Sequence, residues 1–139
     1  MLGCFSAANT PVLVRALVQA GELNTRWSTA VDADMLDGLR DVLQFADHHC
    51  PEDTKVQLAA SLVELRAHLA LADTELELTV QQFVFLLYWL GQILTGPPAE
   101  ADRERIGLGG PERLERFRRT MKHCIQLSVL LLDGFPVMV

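Results

Sequence analysis

Apolar residues recur at helical spacing along most of this chain, and they predict five amphipathic helices. The expected helices cover about 10–21, 32–48, 51–70, 79–94 and 111–132. Several have recognisable starts, since Thr10 and Pro11 suit the first turn of one helix and Pro111 opens another. No segment competes convincingly as a strand. The sequence therefore predicts an all-α fold, arranged as a single five-helix bundle.

The predicted fourth helix, at about 79–95, differs from the others because it is apolar on nearly every side between Phe83 and Leu94. A helix of this kind is buried by its neighbours or by a second chain. It is too short to span a bilayer, which requires about 20 apolar residues. We therefore expect it at the centre of the bundle and expect no membrane association.

Length and composition favour one domain over the whole chain, 1–139. The chain has 139 residues, half of them hydrophobic, which is enough for one core and too few for two large ones. The segment 96–110 is rich in charge and glycine, and we expect it to be a flexible loop. An apolar tail, 135–139, follows the Asp133-Gly134 stop.

Charge and cysteine content narrow the function classes. The net charge is −6, which argues against a partner held through nucleic-acid phosphates. Three cysteines, an odd number, favour a reducing compartment. The N-terminus lacks a basic segment followed by a long apolar one, so no signal peptide is predicted. These features together predict a cytoplasmic protein.

The main functional hypothesis is a non-catalytic protein-interaction module that binds and occludes a partner protein, as an inhibitor, immunity protein, adaptor or chaperone does. Acids exceed bases by eight between Glu22 and Glu77, while bases exceed acids by two between Glu100 and Lys122. Oppositely charged regions can dock on a complementary partner. The candidate contact residues combine acids with apolar anchors: Trp27, Asp34, Asp37, Asp41, Phe135, Val137 and Met138.

The main hypothesis includes no catalytic residue and no resident cofactor. Two alternatives to it remain open. One is a homodimeric helical protein with a metal or small-ligand pocket. Imidazole and thiolate ligands for it would come from His49, Cys50, His123 and Cys124, although no C-x-x-C or H-x₃-H spacing is present. The other is a subunit of a larger complex whose contacts cover the predicted fourth helix.

Overall fold

The computed structural model describes residues 24–134, and this range folds into six helices and a two-stranded sheet. In chain order the elements are β1 (Arg26–Ala30), α1 (Ala33–His49), α2 (Glu52–Gln57), α3 (Ala59–Leu71), β2 (Glu75–Thr79), α4 (Val80–Leu94), α5 (Gly96–Arg105) and α6 (Pro111–Gly134). The all-α prediction is confirmed in its main feature. The predicted helix at 10–21 and the tail residues Phe135, Val137 and Met138 lie outside the described residues.

Side-chain caps fix where two of the long helices begin. Asp32 accepts a hydrogen bond from the backbone N–H of Met35 at 2.8 Å, which starts α1. Thr79 and Gln82 form a reciprocal capping box at the start of α4, with N···O distances of 3.1 Å and 2.9 Å. Both starts lie within a residue or two of the positions that the sequence predicts.

Helix α4 occupies the centre of the fold, as its all-round apolar character predicts. Its buried side chains include Phe83, Leu86, Leu87, Leu90 and Ile93. Helices α1 and α6 pack against it and against each other, and α5 contacts its C-terminal half. Burial between several neighbours removes apolar surface from water and is the main source of stability. Within residues 24–134, none of the helices combines the length and apolar character needed to cross a membrane.

The expectation that no strand is present was wrong. β1 and β2 pair antiparallel, with Trp27 opposite Leu78 and Thr29 opposite Leu76. Leu76 and Leu78 are buried while the glutamates between and beside them are exposed. This alternation has the two-residue period of a half-buried strand, so the signal was present in the sequence over 75–79. Trp27 accordingly lies in a strand.

The prediction of a flexible loop at 96–110 was also wrong over most of that range, because residues 96–105 form α5. Proline is tolerated in the first turn of a helix, where its missing N–H has no intrahelical partner. Arg103 is buried and donates to the carbonyl oxygen of Ile93, which attaches α5 to the end of α4. A tight connection follows, with Gly107 and Gly110 at positive φ, and leads into α6.

The predicted third helix is divided into α2 and α3 at Leu58, whose φ and ψ of −103° and 11° interrupt the helix. Leu62, Leu65 and Leu69 form the buried stripe of α3, as the leucine spacing predicts. The described residues therefore contain six helices where the bundle prediction had four over the same range.

Candidate functional site

The acidic residues of α1 are paired within the chain. Asp34 lies 3.2 Å from Arg116 and 3.0 Å from Arg119, both on α6. Asp41 lies 3.1 Å from Arg113 on the same helix. The oppositely charged regions that the sequence suggested as docking surfaces for a partner thus contact each other inside one molecule.

Burial affects the two aspartates differently. Desolvation raises the pKa of Asp34, but hydrogen bonds from Arg119 and Arg116 outweigh it, and the net pKa is lowered from its ordinary value of 3.8. At Asp41, desolvation is larger than the attraction of Arg113 and Arg116, so the pKa is raised. Asp41 is the more buried, with 17% of its side chain exposed against 41% for Asp34. The α6 arginines favour the charged form of both aspartates, but only at Asp34 do they outweigh the cost of burial.

The other acidic candidate, Asp37, lies on the exposed side of α1. It pairs with Arg40 one turn further along the same helix, at 3.3 Å. Arg40 also donates from Nε to the carbonyl oxygen of Leu69 at 2.8 Å, which links α1 to the end of α3. Asp37 is thus the candidate acid whose contact is confined to its own helix.

Trp27 packs against the core, whereas an anchor for a partner protein would have to be exposed. Its ring meets Phe83 of α4 edge to face, with ring centroids 5.1 Å apart. It also lines a small apolar cavity together with Met35 and Cys124. The tryptophan therefore attaches the sheet to the core.

The four side chains of the metal alternative are not assembled into a centre. Cys124 lies in the cavity beneath Trp27, whereas His49 lines a separate groove near Asp102. Across residues 24–134 no three His, Cys, Asp or Glu side chains are placed to hold a metal ion. Burial raises the pKa of the Cys124 thiol to about 12, which disfavours the thiolate that a metal requires.

The outward side of α3 and the end of α2 carry several exposed apolar residues. We call this surface the α3 outer face, and it consists of Val56 at the end of α2 and, on α3, Ala59, Ala60, Val63, Ala67, Ala70 and Leu71, all exposed. Val63 is 66% exposed and Leu71 is 83% exposed. Single exposed apolar residues are ordinary, but a contiguous apolar stripe indicates an interaction surface.

A groove of about 340 Å³ opens between α1, α4 and α5. We call it the aromatic groove, and its principal lining residues are Phe45, His49, Trp89, Gln92, Thr95 and Asp102. The rings of Phe45 and Trp89 have centroids 6.2 Å apart, and Phe45 and His49 have centroids 4.4 Å apart. An apolar wall with a few polar groups is the usual composition of a ligand site.

The polar end of the aromatic groove contains an unsatisfied atom. Nε2 of His49 is buried and has no hydrogen-bond partner, and Oδ2 of Asp102 lies 3.9 Å away. A buried polar atom without a partner is rare and indicates strain or a site for another group. The sequence singled out His49 but not Trp89, which belongs to the apolar run of the predicted fourth helix, and not Asp102, whose helix was expected to be a loop.

Comparison with protein-family models, with curated proteins and with solved structures finds no significant match to this chain. The geometry of the chain's own surface therefore carries the functional argument.

Proposed function

We propose that this chain is a non-catalytic protein-interaction module whose contact surface is the α3 outer face. The observation that carries the proposal is the exposed apolar stripe itself, which runs from Val56 to Leu71. On the opposite side of the same helix, Leu62, Leu65 and Leu69 are buried in the core. Helix α3 is thus apolar on two sides, and only one of them is covered by the rest of the described chain.

The spacing of the stripe favours an amphipathic helix of a partner protein as its occupant. Within α3, Val63 and Ala70 are seven residues apart, and Ala60 and Ala67 lie at helical spacing from them. This is the pattern of a helix that packs along another helix. The small alanine side chains leave shallow positions that larger apolar side chains of a partner can fill.

A different protein suits this surface better than a second copy of the chain. Two alanine-lined faces packed on each other would bury little apolar area, whereas a partner with leucine-sized side chains would bury more. At about 25 cal/mol per Å² of apolar surface removed from water, the larger partner side chains give the more stable complex. A homodimer is therefore an outcome of the experiment and not the proposal.

The remaining parts of the functional hypothesis are kept as proposals. Binding to a partner, occlusion of its surface and action without catalysis agree with an exposed apolar stripe. The reducing, cytoplasmic setting is supported by the odd number of cysteines, and the absence of direct nucleic-acid binding by the net charge of −6. The acidic contact originally expected at Asp34 and Asp41 is not part of the proposal, because both residues pair with α6.

Site-specific photocrosslinking tests the surface directly. The photoreactive amino acid p-benzoylphenylalanine is placed at Val63 in one variant and at exposed Glu112 of α6 in another, each expressed in the cells of origin. We expect crosslinks to one other protein from position 63 and not from position 112, with the crosslinked peptide belonging to an amphipathic helix. Crosslinks between two copies of the chain, or equal crosslinking from both positions, would contradict the proposal.

Two variants, each replacing one alanine by aspartate, then test how much the α3 outer face contributes to affinity for the purified partner. Ala67→Asp places a charge in the α3 outer face, while Ala101→Asp places the same charge on the exposed surface of α5. Burying an unpaired carboxylate is costly, so the affinity should fall at least about tenfold for Ala67→Asp. Affinity should stay within about twofold of wild type for Ala101→Asp. Equal affinities for the two variants would rule out α3 as the contact surface.

A further inference from the structure

The hydrogen bonds at the two ends of the sheet determine which backbone groups of β1 face β2. At one end Val31 donates to the carbonyl oxygen of Thr74 at 2.9 Å, and at the other Val80 donates to that of Thr25 at 3.0 Å. In an antiparallel pair every second residue exchanges hydrogen bonds with the neighbouring strand. The odd-numbered residues of β1 therefore direct their backbone groups to β2, and the even-numbered residues direct theirs to the outer edge of the sheet.

This outer edge is open among residues 24–134. We call it the β1 edge, and its backbone groups belong to three exposed residues: Arg26, Ser28 and Ala30. Only the carbonyl oxygen of Ala30 is engaged, by the hydroxyl group of Thr29 at 3.4 Å. The opposite edge of the sheet is covered, since Nδ1 of His68 on α3 lies 2.9 Å from the carbonyl oxygen of Glu77 on β2.

Strand β1 lacks the usual features that prevent an exposed edge from pairing. Natural edge strands carry prolines, bulges or inward-pointing charges. β1 contains no proline, and its register with β2 runs without a bulge from Arg26 to Ala30. Its single charged side chain points to the outer face of the sheet, where it lies 3.1 Å from Glu64 and 3.3 Å from Glu77. The unpaired N–H and C=O groups are thus a template for a further strand.

The outer face of the sheet is acidic. Three acids, one on α3 and two on β2, surround the single base of β1: Glu64, Glu75 and Glu77. Three acids and one base give a local net charge of −2. On β1, the small residue Ser28 stands opposite Glu77, and Ala30 stands opposite Glu75. Because neighbouring strands are about 4.8 Å apart, a long basic side chain on an added strand can extend over these small residues toward the carboxylates.

We propose that the β1 edge binds an extended segment of a partner protein as an added antiparallel strand, in which lysine or arginine alternates with apolar residues. The basic side chains lie on the outer face, next to Ser28 and Ala30. The apolar side chains lie on the other face beside Trp27 and Thr29, which are half-buried and gain further burial. The β1 edge is separate from the α3 outer face, and the proposal does not depend on the function proposed for that face.

A second copy of the chain is a poorer occupant of the β1 edge. Pairing of two β1 strands would join two outer faces, each with a net charge of −2, in one continuous sheet. Like charges on neighbouring strands destabilise a sheet, whereas a basic segment neutralises the acids. Self-association through the β1 edge therefore contradicts the proposal.

Peptides with defined N-methyl groups test the added strand on the full wild-type chain. The probe is fluorescein-labelled Lys-Val-Lys-Val-Thr, whose lysines stand opposite Ala30 and Ser28 when it lies antiparallel to β1. In this register the lysine N–H groups face β1, and the valine N–H groups face away. We expect saturable binding in fluorescence anisotropy. Methylation of both lysine amides should weaken it at least about tenfold, and methylation of both valine amides less than about threefold.

Hydrogen exchange measured by NMR locates the peptide. In the free chain, the amides of Trp27 and Thr29 should exchange slowly because they are bonded to β2, and those of Ser28 and Ala30 should exchange rapidly. Saturating peptide should slow the exchange of Ser28 and Ala30 at least about tenfold, because both amides then donate to the added strand.

Charge changes on either partner test the acidic face. Replacing both lysines of the peptide by glutamate should weaken binding at least about tenfold. The double variant Glu75→Gln, Glu77→Gln should weaken binding of the lysine peptide to a similar extent. The matched control Glu112→Gln, Glu115→Gln removes the same charge from exposed positions of α6 and should leave the affinity within about twofold.

Four results would overturn the proposal. They are no saturable binding up to about 1 mM peptide, equal weakening by the two methylation patterns, equal binding of the glutamate peptide, and Ser28 and Ala30 amides as protected in the free chain as those of Trp27 and Thr29. Protection that grows with protein concentration in the absence of peptide would assign the edge to a second copy and would contradict it as well. The peptide comparisons use the wild-type chain, so they stand even if a variant folds poorly.

Discussion

Gly38 on α1 lies directly against Thr120 on α6, so closely that a Cβ at position 38 would overlap the Thr120 hydroxyl oxygen. Thr120 itself donates to the carbonyl oxygen of Arg116 at 2.8 Å, which holds the hydroxyl in place. The ion pairs from Asp34 to Arg116 and Arg119 lie on the same two helices. The contact between α1 and α6 thus combines a close backbone approach with charge pairing.

Gly38→Ala should destabilise the protein, although alanine is the better helix former by up to about 1 kcal/mol. The added methyl group must displace Thr120 or separate the helices, and overpacking of this kind costs about 1–3 kcal/mol. Urea denaturation measures the free energy of unfolding. The double variant Gly38→Ala, Thr120→Ala should recover most of the loss, because it removes the oxygen that the methyl group meets. Additive losses would show that the contact is not the cause.

Asp34→Asn should reduce stability at neutral pH by about 0.5 kcal/mol, the scale of a partly exposed ion pair. The folded pKa of Asp34 is lowered, so its contribution is complete above the unfolded value near 3.8 and is lost as pH falls through the folded value. The difference between wild type and variant should therefore be constant from about pH 7 to 5 and should shrink below about pH 4. Urea denaturation across this pH range measures it.

Asp41→Asn should change stability with pH in the opposite direction to Asp34→Asn, although both aspartates pair with α6. Burial raises the folded pKa of Asp41 above the unfolded value of 3.8, so the ionised residue disfavours folding. Wild type therefore loses stability as pH rises from about 3.8 through the folded pKa. The variant should therefore gain stability relative to wild type between acid and neutral pH. Parallel pH profiles for Asp34→Asn and Asp41→Asn would contradict the different burial of the two aspartates.

Cys124 should react with iodoacetamide only when the protein unfolds. Its pKa of about 12, compared with an ordinary value of 9.0, lowers its thiolate fraction about a thousandfold at pH 8, and burial excludes the reagent as well. Peptide mapping by mass spectrometry separates this cysteine from the other two. Labelling at the same rate in buffer and in denaturing urea would contradict its place in the core.

Arg103→Met should destabilise the protein by about 1.5–3 kcal/mol, the range for a hydrogen bond that involves a charged group. Arg103, in the last turn of α5, is buried and donates to Ile93, so its loss detaches the C-terminal part of α5 from the end of α4. Exposed Arg105 is the matched control, and its replacement by Met should cost less than about 1 kcal/mol. Hydrogen exchange over 96–105 should accelerate in the first variant and not in the second.

The long helices could be predicted because their signals are local. Asp32, Thr79 and Pro111 stand at helix starts, and the apolar run of α4 requires burial whatever surrounds it. The partners of Asp34 and Asp41 could not be predicted, because α6 is some eighty residues away along the chain and its position depends on packing. The aromatic groove depends on where α5 docks, which is fixed by Arg103 and not by a local pattern.

The short sheet has a consequence for the order in which the chain folds. Within residues 24–134, β1 pairs only with β2, and the whole of α1, α2 and α3 lies between them. Ala30 and Glu75 can meet only after this long segment has become compact, because closing a loop of that length costs chain entropy before the strand contacts form. On a ribosome, β1 is therefore made well before β2, and Trp27 lacks its cross-strand neighbour Leu78 until synthesis has passed that residue.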